Sequence, residues 1–210
     1  MAGINEAREM LAGMGKIEVG NRNDIKESTV QVLFNALTTE KSRKLVPYFR
    51  AKVTVLVPIV DGKGRKAGED GYAGHYKGDK ISFCFFPGDR FTRDFGPFLC
   101  AALNMAPSDA KLLTAEEAQE LAIALITCDG QVGCLNGGTA IEMRGVRSAP
   151  VKDENDETKI TTYINERYDK HVTFESLAAK LDDQDKERYF GSVEAFDALL
   201  IEEAEEAAAE

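Results

Sequence analysis

The stretch from residue 48 to residue 93, YFRAKVTVLVPIVDGKGRKAGEDGYAGHYKGDKISFCFFPGDRFTR, predicts two β-strands joined by a basic, aromatic connection. The apolar side of the first strand comprises Val53, Val55, Val57 and Ile59, and its polar side Arg50, Lys52 and Thr54. Such a period of two is typical of a half-buried strand. Residues 80–86 (KISFCFF) predict the second strand, and the irregular, polar connection between the two is expected at the surface.

Three further strands and several helices are predicted elsewhere in the chain. Residues 28–37 (STVQVLFNAL), 139–146 (TAIEMRGV) and 158–168 (TKITTYINERY) are rich in β-branched or alternating residues, whereas residues 38–46 predict a basic loop. Residues 91–105 and 114–127 predict helices, the second opened by a capping box of Thr114 and Glu117, and residues 174–181 predict a short third helix. Five strands with helical material between the third and the fourth are therefore expected.

Length and composition are consistent with one core and a cytoplasmic protein. A chain of 210 residues that is 43% hydrophobic favours one domain with appendages, which we place at residues 1–181, with a tail at residues 182–210. No apolar run reaches the length of a membrane-spanning helix, and the N-terminal residues are acidic where a signal peptide is apolar. The four cysteines are expected as reduced thiols.

Charge is divided unevenly along the chain. The formal net charge is −10, yet residues 41–93 hold twelve Lys or Arg against five Asp or Glu, and residues 182–210 hold eleven acids against two bases. A basic surface attracts polyanions. The acidic segment lacks a sustained apolar stripe, so we predict a disordered acidic C-terminal tail.

The order of elements is that of an OB-fold, a small five-stranded Greek-key barrel that often binds nucleic acid. The strands YFRAKV, GHYKGDKISFCFF, TAIEMRGV and TKITTYINERY, with the acidic ending IEEAEEAAAE, resemble those of bacteriophage single-stranded-DNA-binding proteins. The resemblance implies a non-enzymatic α+β protein that coats single strands cooperatively during replication or recombination, in the cytoplasm of a bacterial host. It also implies that the tail docks to replication or recombination proteins.

Binding of a single strand needs phosphate neutralisation and aromatic faces on which bases stack, at about 1–3 kcal/mol per base. Both residue types are concentrated between residues 41 and 93. The predicted DNA-binding residues are Lys41, Arg43, Lys44, Tyr48, Arg50, Lys52, Lys63, Arg65, Lys66, Tyr72, His75, Tyr76, Lys77, Lys80, Phe83, Phe85, Arg90 and Arg93.

Each feature also has a purely structural interpretation. Core packing is the commoner role for Phe83 and Phe85, and the loop at residues 62–66 is equally well explained as a solvated hairpin end. His75 has no nucleophile beside it, which favours a surface role over catalysis. The acidic segment acts either as a solubiliser or as a competitor of DNA for the cationic surface.

No cofactor and no metal are predicted. Cys128 and Cys134 are separated by five residues, outside the spacing of a zinc knuckle, and no GxxxxGK[ST] phosphate loop occurs. The acids at residues 153–157 lie in a predicted loop rather than on a scaffold that would hold magnesium. A protein-interaction module that binds no nucleic acid and a metal-dependent nuclease are the alternative functions, and both a homo-oligomer and a cooperative assembly on DNA are left open.

Overall fold

A five-stranded antiparallel sheet forms the centre of the computed structural model, which describes residues 25–86, 91–105, 139–152 and 160–209. Its strands are β1 (Ser28–Lys41), β2 (Pro47–Asp61), β3 (Lys80–Phe85), β4 (Thr139–Arg147) and β7 (Ile164–Val172), in the spatial order β3-β2-β1-β4-β7. The short strands β5 (Val151–Lys152) and β6 (Ile160–Thr161) pair with each other. The predicted α+β class with a five-stranded sheet is confirmed.

The main core lies on one face of this sheet, under helix α1 (Phe91–Ala102). The period-two pattern places Val30, Val32 and Phe34 of β1 in that core, as predicted, together with Val53 and Val55 of β2. Helix α1 closes the core from above by contacting β3, β4 and β7.

The two edges of the sheet approach each other beneath α1. Phe83 of β3 lies 5.4 Å from Tyr168 of β7, and Phe98 of α1 lies 5.4 Å from the same tyrosine, measured between ring centroids. The sheet is therefore strongly curved, because its first and last strands share one aromatic cluster.

A β-bulge at Leu56 changes the predicted face of β2. Gln31 pairs with Val57 and Val32 with Val55, so Leu56 is the extra residue on its strand. Beyond this point the side chains exchange faces, and Val57 packs in a second core rather than beside Val53 and Val55. The predicted alternation is thus correct only as far as Val55.

The C-terminal segment is helical, so the predicted disorder of the acidic tail is wrong. Helices α2 (Phe174–Ala178), α3 (Asp183–Phe190) and α4 (Val193–Ala209) pack on part of the opposite face of the sheet, in a second core with Leu33, Leu56, Ala140 and Val172. Asp182 caps α3 in a reciprocal capping box with Asp185. The side chain of Phe196 is fully buried in the second core.

Several boundaries also differ from the prediction. Strand β1 continues to Lys41, which leaves a turn at residues 42–46 where a longer loop was expected, and the predicted strand at residues 158–168 divides between β6 and β7. The predicted helix at 114–127, the Cys128–Cys134 pair and the acidic loop at 153–157 lie outside the described residues. Of the helices in the described ranges, none combines the length and apolarity needed to cross a membrane.

Candidate nucleic-acid interface

The outward face of β2 and β3 carries a row of cations. Arg50 and Lys52 lie opposite Cys84 and Ser82, and Lys80 lies opposite Thr54. Directly paired residues of an antiparallel ladder share one face, so these three cations stand together on the side away from the main core. Lys52 and Lys80 are exposed and have no ion-pair partner among the described residues. We call Arg50, Lys52 and Lys80 the cationic strip.

Arg50, at one end of the strip, is held by its neighbours. Its Nε lies 3.1 Å from Glu40 Oε2, and its Nη2 donates to Tyr48 Oη at 2.9 Å. Tyr48 in turn donates to Glu40 at 2.8 Å, and burial and this hydrogen bond raise the pKa of the phenol. Tyr48 is buried against Phe86, so it positions Arg50 and cannot present its ring to a base.

Three exposed cations, called the turn cations below, lie at the β1–β2 connection: Lys41, the last residue of β1, and Arg43 and Lys44 in the turn. The turn lies next to the strip, because β2 begins at Pro47 immediately after the turn and reaches Arg50 three residues later. Within the described ranges, neither Arg43 nor Lys44 has a hydrogen-bond or ion-pair partner on its side chain. Their charges are therefore available to a ligand.

The β2–β3 connection is a folded loop held by Asp61, His75 and Tyr72. Arg65 forms an ion pair with Asp61 at 2.6 Å. The buried His75 accepts a hydrogen bond from the backbone N–H of Lys26 at 2.9 Å, and Tyr72 donates to the His75 carbonyl at 2.6 Å. Tyr72 and His75 are thus structural, which corrects their prediction as ligand contacts and the surface role inferred for His75.

The other predicted contacts in the β2–β3 loop differ in their position and in whether their charge is already paired. Lys63 and Lys66 are exposed, but they lie at the Asp61 end of β2, roughly 45 Å along the strand from the β1–β2 turn. Tyr76 is 50% exposed and touches Tyr72 edge-on. Lys77 is bound to Asp185 of α3 at 2.6 Å, so its charge is already neutralised.

Phe83 and Phe85 belong to the main core, with 0% and 2% exposure. Core packing is therefore the correct interpretation, and a stacking role for these rings is excluded in this conformation. Arg90 lies outside the described residues, as does the side chain of Arg93. The structure places Arg50, Lys52 and Lys80 on one face, with the turn cations at the Pro47 end of β2 and Lys63, Arg65 and Lys66 at its Asp61 end.

One aromatic residue was missed by sequence reasoning. Tyr163 is 51% exposed and precedes β7, where its backbone N–H donates to Ser148 Oγ at 2.9 Å. The period-two pattern had placed it inside a continuous strand, so its exposure was not anticipated. The interruption between β6 and β7 is visible only in the pairing of the backbone, which the sequence does not give.

A polar groove between α2 and the sheet is separate from the cationic strip. Lys180 donates to Gln31 at 3.0 Å, and Gln31 donates to Glu142 at 3.0 Å. Desolvation lowers the pKa of His171 on the groove wall, which keeps it neutral at physiological pH. Because these polar groups satisfy one another, we assign the groove no ligand.

The metal-binding residue types in the described part of the chain do not assemble. No group of three or more His, Cys, Asp or Glu side chains is placed to hold a metal ion within those residues. Cys84 is buried, and burial raises the pKa of its thiol.

Comparison with known proteins found no match to a family model, to a curated protein or to a solved structure.

Proposed function

We propose that the chain is an OB-type protein that binds single-stranded DNA without sequence specificity. The observation that carries the proposal is the cationic strip on the outward face of β2 and β3, in which Lys52 and Lys80 are exposed, together with the turn cations beside it. In OB-folds the face of the second and third strands and the loop between the first and second strands bind oligonucleotides.

The strand order supports the OB assignment. An OB barrel pairs its first strand with the second and the fourth, the second with the third, and the fourth with the fifth. With β7 as the fifth strand, all four pairings are present here. A closed barrel would also pair β3 with β7, which are the two edge strands of the described sheet. The contact between the rings of Phe83 and Tyr168 brings these two edges close to each other.

The exposed side chains fall into two groups, cations that would bind phosphates and tyrosines that would stack on bases. Lys52, Lys80 and the turn cations would neutralise phosphates, which releases counterions and makes affinity fall with salt. Tyr76 and Tyr163 are the exposed tyrosines on which unpaired bases would stack. Such binding reads no base edges, so it serves the coating of single strands during phage DNA replication or recombination, without catalysis.

Charge reversal of the strip tests this proposal. Lys52→Glu/Lys80→Glu should weaken binding to a labelled thymidine oligonucleotide by about tenfold or more at low salt, with a shallower salt dependence, as fluorescence anisotropy would measure. The matched control is Arg147→Glu/Lys170→Glu, which changes net charge equally at exposed residues of β4 and β7. The two control positions form only surface ion pairs, worth at most about 1 kcal/mol each, so the control should fold and bind like the wild type.

The outcomes separate the functional classes. Salt-sensitive binding lost in the strip variant alone supports the proposal. Absence of binding by the wild type overturns it in favour of a protein-interaction module, and cleavage of the oligonucleotide on addition of magnesium overturns it in favour of a nuclease.

A further inference from the structure

Leu45 occupies a backbone position that normally excludes leucine. The turn is closed by hydrogen bonds from Leu45 N to Ser42 O and from Ser42 N to Val46 O, both at 2.8 Å. This pattern is a hairpin turn followed by a bulge residue with positive φ, a place usually taken by glycine. Leu45 has a φ of 60°, which a branched apolar side chain adopts only at a cost.

Packing does not compensate for that cost. The Leu45 side chain is 77% exposed, the highest fraction among the large hydrophobic residues exposed in the described ranges. A single exposed leucine is ordinary, and a residue with positive φ is ordinary in a turn. An exposed leucine with a positive φ is unusual, because neither the backbone conformation nor burial in the core favours leucine at this position. Strained residues cluster at binding sites, where contact with a ligand accounts for them.

The surroundings of Leu45 identify the ligand. Among the described strands, the last two residue pairs of the β1–β2 hairpin, Glu40–Tyr48 and Lys41–Pro47, have no further strand beside them, so the turn is the tip of a short two-stranded end. Arg43 and Lys44 precede Leu45, and their exposed cationic side chains have no partner among the residues that the structure describes. An exposed apolar side chain beside two cations suits a polyanion that also has apolar faces, and a nucleic-acid strand is such a ligand.

We propose that Leu45 is a wedge that inserts between two adjacent bases of the bound single strand while Arg43 and Lys44 hold the flanking phosphates. Apolar side chains inserted between base steps are a known means of unstacking nucleic acid. The inference rests on the proposed function, and it adds that binding at the arm separates neighbouring bases.

The test uses a thymidine oligonucleotide that contains two adjacent 2-aminopurines, whose fluorescence rises when they unstack. At saturating full-length protein, Leu45→Asn and Leu45→Gly should lose most of the fluorescence rise and bind about tenfold more weakly, as expected for one lost base contact. Both variants should melt at or above the wild-type temperature, since asparagine and glycine accept a positive φ. Ile201→Gln, which removes another exposed apolar side chain, is the matched control.

A wild-type fluorescence rise in both Leu45 variants overturns the wedge, and it leaves the proposed function standing if Lys52→Glu/Lys80→Glu still loses binding. A lowered melting temperature in both variants also overturns it, because Leu45 would then be structural. Loss of self-association in sedimentation, with the fluorescence rise intact, overturns it in favour of a contact between copies. Absence of binding by the wild type removes both proposals together.

Discussion

Asp61, the last residue of β2, organises the β2–β3 loop through one carboxylate. Its Oδ1 accepts the backbone N–H groups of Lys63 at 2.8 Å and Arg65 at 2.9 Å, and its Oδ2 accepts the N–H of Ala73 at 3.1 Å. Burial alone would raise the pKa of this carboxyl, but the hydrogen bonds from Arg65, Lys63 and Ala73 outweigh it and hold the pKa well below its usual range. The charged form is therefore part of the fold.

The depressed pKa of Asp61 makes a pH-dependent contribution to stability. A carboxyl whose pKa is lower in the folded state stabilises the fold above its unfolded pKa, here 3.8, and loses that contribution as pH falls. The wild-type midpoint of urea unfolding should thus decline from about pH 5 to about pH 3, and Asp61→Asn should start lower and decline less steeply. Asp197→Asn, at an exposed acid of α4, should follow the wild type. Parallel curves for the wild type and Asp61→Asn would contradict this assignment.

Helix α4 carries a short apolar stripe within the acidic C-terminal segment. Phe196, Leu199 and Leu200 recur at intervals of three and four, which places them on one helical face, and all three pack in the second core. Glu194, Asp197 and Glu205 lie on other faces, whereas Glu203 continues the stripe and accepts the backbone N–H of Phe174 at 3.0 Å. The short stripe was present in the sequence, but the dominant charge of residues 182–210 masked it.

Truncation of Phe196 tests whether α4 is part of the folded body. Phe196→Ala should lower the free energy of unfolding by about 3–5 kcal/mol, because a fully buried ring is replaced by a cavity. Ile201→Ala removes an exposed side chain of the same helix and should change it by less than about 0.5 kcal/mol. Equal unfolding curves for Phe196→Ala and Ile201→Ala would contradict the packing of α4 and favour the disordered tail that the sequence predicted.

The elements that the sequence predicted well are those whose pattern is local. Val30, Val32 and Phe34 mark β1 because alternation along one strand suffices to identify a buried face. The roles of Tyr72 and His75 were not predictable in this way, since His75 is bound by the backbone of Lys26, which is 49 residues away in the sequence, and Tyr72 is bound to His75 in turn. Residue type alone therefore predicted the exposure of the lysines, whose DNA contacts stay a prediction, but not the burial of Tyr72 and His75.

Across the whole molecule, the acidic and basic parts touch rather than lying apart. Lys77 of the β2–β3 loop binds Asp185 of α3 at 2.6 Å, and Asp185 is buried. Deletion of residues 182–210 would remove this ion pair and also Phe196, exposing Phe174 and Leu177. Such a deletion therefore tests folding, and it cannot test whether the acids compete with DNA.

Neutralisation of exposed acids separates charge from packing. In Glu187→Gln/Asp197→Asn/Glu205→Gln every substituted side chain is exposed, while Asp185 and Glu203, which bind the body, are retained. If the anionic helices oppose a single strand, this variant should bind a thymidine oligonucleotide more tightly at low salt. The gain should vanish at high salt, where the Debye length shrinks to about 3 Å at 1 M and exposed charges no longer act over distance. An unchanged affinity at low salt, with an unchanged melting temperature, would limit these acids to a role in solubility.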